Sequence, residues 1–94
     1  MNLRFHIDPE TALPHIYDHG VREYEVREAL DRSVEDRLGE EGSRIAIGIT
    51  ASGRHLRVVY APDADGESAF VITAYDLKGK PLKAFRRRRR RRHP

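Results

Sequence analysis

The chain has 94 residues, of which eighteen are Lys or Arg and fifteen Asp or Glu, with no cysteine and a net charge of +3. This length fits one domain with a single helix-on-sheet core, and the lack of cysteine excludes a disulfide framework and a thiolate metal site. No apolar run reaches the length of a membrane span and no signal pattern opens the chain, so a soluble cytoplasmic protein without a membrane partner is expected.

In chain order, Leu3, Phe5 and Ile7 alternate with Arg4 and His6, predicting a first strand over residues 2–7. Asp8-Pro9-Glu10-Thr11 reads as a turn, because Pro9 lacks an amide donor and biases Asp8 towards extended backbone. Pro14 suits the start of a short helix through His15, Ile16, Tyr17 and Asp18, stopped by Gly20. A longer helix is predicted over residues 22–31. Val21 and Val26 have the spacing of a hydrophobic staple, Glu25 stands at the third helical position, and Val26, Ala29 and Leu30 form an inward stripe. Residues 33–43 hold Gly39 and Gly42 among acidic side chains and read as a loop.

Ile45, Ile47 and Ile49 alternate before the turn Ala51-Ser52-Gly53, and Leu56, Val58 and Tyr60 alternate after it. This pattern predicts a β-hairpin with one buried face. The expected buried set is Ile45, Ile47, Ile49, Leu56 and Val58, leaving Arg44, Ala46, Gly48, Thr50, His55, Arg57 and Val59 on the reverse. A turn over residues 61–66 leads to a third strand over 68–75, antiparallel to the second, which adds Thr73 and Tyr75 to the reverse face. Pro81 opens a last helix, pinned by Leu82 and Phe85 ahead of the arginines. The expected fold is α+β: a small antiparallel sheet with helices packed on one face, over residues 1–85, then a basic tail over 86–94.

Charge is unevenly spread. Arg86, Arg87, Arg88, Arg89, Arg90, Arg91 and Arg92 are consecutive, whereas residues 1–85 carry eleven basic and fifteen acidic groups, a net of −4. Seven adjacent guanidiniums repel one another, and a phosphate backbone relieves that repulsion with release of counterions. RNA or DNA is therefore the expected partner of this run, with the acidic residues 35–41 as a competing intramolecular one. On the reverse sheet face, small residues beside His55, Arg57 and Tyr75 would form a floor able to hold a phosphate and stack a base, or simply a solvated face. His19 is open to two readings: a proton carrier, since imidazole exchanges protons near neutral pH, or a helix-end residue capped by Gly20. His6 and His15 have no third ligand at recognisable spacing, so neither a metal nor another cofactor is expected.

His19-Gly20-Val21, Glu25-Val26 and Ala29-Leu30, then Gly53-Arg54, Val58-Val59-Tyr60 and Ile72-Thr73-Ala74, follow one another in an order that resembles the BrnT-type toxins over roughly residues 3–87. The sequence departs from that family's pattern at Asp18, where a lysine is usual, at Ile7-Asp8 in place of Trp-Asp, and at Tyr75 in place of an arginine. The resemblance implies a RelE-like fold and a metal-independent endoribonuclease toxin neutralised by a partner antitoxin. The residues expected to carry that chemistry are His19 or His55 as proton carrier, Arg54, Arg57 and Arg86 as sources of charge, and Tyr75 on the same floor. The alternatives are a non-catalytic protein that binds nucleic acid through its arginine tail, and a module that pairs a sheet edge with a protein partner.

Overall fold

A computed structural model describes residues 1–92. The period-two segments become strands β1 (Asn2–Phe5), β3 (Arg44–Ile49), β4 (His55–Pro62) and β5 (Ser68–Asp76), joined by an additional strand, β2 (Ser33–Leu38). They form one sheet in the order β1-β5-β4-β3-β2. Helix α1 (Glu23–Asp31) follows a 3-10 turn (His15–His19), and helix α2 (Gly79–Arg92) follows β5. The α+β class is as expected. The sheet is mixed rather than wholly antiparallel, because β1 runs parallel to β5 with Asn2 opposite Ser68. No helix among the described residues is long and apolar enough to cross a membrane.

α1 starts as its sequence requires. Glu25 accepts a hydrogen bond from the Arg22 N–H at 3.0 Å, and Val21 and Val26 are both fully buried as a staple pair. The helix then lays Val26 and Ala29 on Ala46, Leu56, Val58, Val71 and Ala74, which forms the larger core cluster.

The hairpin register differs from the expected one. Five residues connect β3 to β4, closed by Thr50 N–H to Arg54 O at 2.9 Å and Arg54 N–H to Thr50 Oγ1 at 3.0 Å. Ile49 therefore pairs with His55, Ile47 with Arg57 and Ala46 with Val58. Directly opposed residues share a face, so the isoleucines lie with His55, Arg57 and Val59, while Ala46 and Gly48 lie with Leu56 and Val58. The expected buried set thus mixed two faces. Small residues are required under α1: a Cβ on Gly48 would stand 1.8 Å from the Ala29 carbonyl oxygen.

The reverse face is covered in part. α2 crosses it, burying Phe85 completely against Ile47 and Leu77, with Val34 and Leu82 packed alongside. Burial of a phenylalanine contributes about 1.5–3 kcal/mol, enough to anchor a helix whose remaining residues are mostly cationic. The two helices therefore cover opposite faces rather than one.

The segment read as a loop is the edge strand β2, paired with β3 from Ser33 opposite Gly48 to Leu38 opposite Arg44. Its acids are used locally: Asp36 accepts from Arg44 Nε at 2.7 Å and from the Tyr60 hydroxyl. Burial, aided by the Asp36 carboxylate, pushes the Tyr60 hydroxyl up to about 12.

Gly48→Ala is expected to force α1 off the sheet and cost at least about 2 kcal/mol, seen as a lower urea midpoint. An unchanged midpoint would show that the close helix–sheet approach does not constrain position 48.

Candidate functional site

The 3-10 turn ends at Gly20, which takes the left-handed conformation (φ 69°) and donates its N–H to Tyr17 O at 3.0 Å. This leaves His19 exposed as the last residue of the turn, its ring centroid 5.9 Å from that of Tyr75 on β5. Together with Asp18, Thr73, Asp76 and Lys78 the two rings line a cleft of about 700 Å³. His19 and Tyr75 are the two sequence candidates brought together there.

Arg54 is close by but is already committed. Its Nε and Nη2 donate to Asp76 at 2.6 and 3.0 Å, and its Nη1 donates to both Glu25 oxygens at 3.1 Å and to the Gly20 carbonyl at 2.9 Å. The Asp76 hydrogen bonds, then those to Glu25, hold the guanidinium above its ordinary value, while the Arg54 hydrogen bonds hold the Asp76 carboxyl below its own. A guanidinium carrying two carboxylates is a positioning device, with little charge left for a substrate phosphate.

His55 and Arg57 lie on the face that α2 crosses. The His55 ring meets Phe85 edge-on at 5.8 Å, so it serves packing. Arg57 pairs with Tyr75 across β4 and β5, and its Nε is buried with no hydrogen-bond partner among the described residues. His55, Arg57 and Tyr75 thus share one face as expected, but His55 packs on Phe85 of the helix while Tyr75 lies at the cleft.

The arginines are helical as far as Arg92. Arg86, Arg87, Arg89, Arg90 and Arg91 are exposed, whereas Arg88 turns back to Glu35 on β2 in a bidentate contact at 2.8 and 2.9 Å. The competing intramolecular partner is thus real: Glu35 of that stretch holds Arg88. Cations at a helix C-terminus also interact favourably with the helix dipole, which offsets part of their mutual repulsion. The Arg92 side chain, His93 and Pro94, which belong to the expected tail, lie outside the described residues.

Reading the sequence missed Lys78 and Asp76 as cleft residues. Asp76 ends β5 and Lys78 lies just beyond it, where the only local signal was the break of the strand pattern at residues 78–81. No family model matches the chain, and no curated protein or solved structure is significantly similar to it. The resemblance to BrnT-type toxins therefore rests on the order of its sequence motifs.

Two outcomes follow for the Arg54 cluster. Arg54→Ala strands a buried Glu25 and is expected to cost about 2–3 kcal/mol, less than a fully buried pair because the cluster is partly solvated; chemical denaturation measures it. Asp76 is held below its ordinary 3.8, as is Asp63, which its hydrogen bond to Arg4 brings down to about 2. Their ionised forms stabilise the fold above pH 3.8, and this stabilisation is lost as the pH falls towards 2. Asp76→Asn is expected to flatten the melting temperature against pH across that window.

Proposed function

We propose that the protein binds nucleic acid, RNA in the first instance, through the exposed arginines of α2. The observation that carries this reading is a cationic helix already formed and fixed to the sheet by Phe85 and by the Arg88–Glu35 pair. Seven helical residues rise about 10 Å, and consecutive positions step around the axis, so the exposed guanidiniums fan out over most of the helix surface. Such a surface contacts several phosphates without reading base edges, and its affinity is salt-sensitive and largely independent of sequence. Because the helix is preformed, binding needs little further ordering of the chain.

Fluorescence anisotropy with a labelled single-stranded RNA tests this. Log affinity is expected to fall with log salt with a slope of about −2 to −4, from 0.7 per phosphate contacted. Replacing Arg86, Arg87, Arg89, Arg90 and Arg91 by Gln, with Arg88 retained to hold the helix, should weaken binding at least about 100-fold at low salt. Equal affinity of the fivefold variant would reject the reading.

A second reading, the endoribonuclease implied by the BrnT resemblance, is supported by the pairing of His19 with Tyr75 beside Lys78 in one cleft. Under it, α2 holds the RNA and His19 either takes the 2′-hydroxyl proton as that oxygen bonds to phosphorus or gives a proton to the 5′ oxygen as its bond to phosphorus breaks. RNA incubated with the protein in a chelator should then be cut, and His19→Ala should slow cleavage by about 10²–10⁴-fold. RNA left intact by the parent protein rejects catalysis and leaves the binding reading standing.

A further inference from the structure

The segment between β1 and the 3-10 turn folds back on itself. Ile7 bridges to Pro14, the Asp8 N–H donates to the Leu13 carbonyl at 2.9 Å, and the His15 N–H donates to the His6 carbonyl at 2.8 Å. Asp8 is thereby brought beside His15 although a whole turn separates them in sequence. Asp18, further along the 3-10 turn, completes the group, with His15 Nδ1 3.6 Å from Asp18 Oδ2. One ligating atom from each of Asp8, His15 and Asp18 lies within 4.8 Å of the others. Two ligands of a tetrahedral zinc with bonds of 2.0–2.1 Å are about 3.3 Å apart, so atoms within 4.8 Å of one another need to close by about 1.5 Å at most.

Three further features favour a cation here. Asp8 Oδ1 accepts the Glu10 N–H at 2.9 Å, which fixes the carboxylate and leaves its other oxygen for a ligand bond, as outer-shell hydrogen bonds do at metal sites. Two carboxylates converge on one imidazole, and among the described residues no Lys or Arg forms an ion pair with either of them. The His15 ring also lies between those of His6 and His19, at centroid distances of 5.7 and 5.2 Å, so further imidazoles surround the group.

We propose that Asp8, His15 and Asp18 bind a first-row divalent transition metal, with a fourth position left for water. One nitrogen and two carboxylate donors suit Zn²⁺, Mn²⁺ or Co²⁺. Ca²⁺ and Mg²⁺ favour sites built from oxygen alone, and Cu(I) needs sulfur. The site shares no residue with the arginines of α2, so it stands or falls independently of nucleic-acid binding.

Titration calorimetry of the full chain with Zn²⁺, and visible absorption with Co²⁺, test the proposal. About one equivalent should bind at micromolar concentration, with the intense Co²⁺ bands of a four-coordinate site. His15→Ala, and separately the double variant Asp8→Asn/Asp18→Asn, should each weaken binding at least about tenfold, whereas Asp31→Asn should leave it unchanged. Circular dichroism and melting without metal show that each variant is folded; if one is not, the other carries the test. No saturation below about 100 µM, parent-like affinity in the folded variants, or Ca²⁺ binding as tight as Zn²⁺ would each overturn the assignment.

Discussion

The Arg54 guanidinium reaches from the start of β4 to the Gly20 carbonyl, to Glu25 in α1 and to Asp76 at the end of β5, so it fixes how the 3-10 turn, the helix and the sheet meet. Glu25 does two jobs at that junction, since it also accepts the Arg22 N–H at the start of α1. The planar five-donor fork of an arginine can serve three directions at once, which a lysine ammonium cannot do with fixed geometry. The cleft beside it owes its shape to this junction. His19 ends the turn that Arg54 holds, Asp76 ends the strand that Arg54 ties down, and Lys78 follows that strand end.

Much of this fold was legible in the sequence. Alternation located β1, β3, β4 and β5, and the Val21–Val26 staple located α1. Face assignment was not legible, because it depends on the parity of the β3–β4 connection: adding or removing one residue exchanges every side chain between faces. A signal was nevertheless present in Ala46 and Gly48, whose small size marks where a helix backbone comes close. β2 was hidden because Val34 and Leu38 are its only apolar residues and its charges resemble those of a loop. Two of their partners, Tyr60 and Arg88, are distant in sequence.

The candidate site was partly legible for the same reason. His19 and Tyr75 could be named from residue type, but their meeting depends on where the 3-10 turn docks on β5. Arg54 looked like a source of charge for a substrate because its carboxylate partners come from α1 and the end of β5, far away along the chain. His55 looked exposed until α2 was found to cross its face. The arginines were the easiest feature to see. Phe85 as the pin of the last helix and residues 35–41 as an acidic partner could also be named, but that the helix runs on through the arginines and that Glu35 takes Arg88 depends on where β2 lies in the sheet.

The parallel pairing of β1 with β5 has a consequence for how the molecule assembles. Leu3 and Phe5 pair with Ala69 and Val71, which follow far later along the chain. Closing so long a loop is entropically costly and comes only when other contacts have brought the ends near, so the antiparallel ladder β2 to β5 is the natural first unit. Until then the opening strand waits with its apolar side chains uncovered, a period when a growing chain is open to wrong pairings. The first strand in sequence order is thus the last to join the sheet.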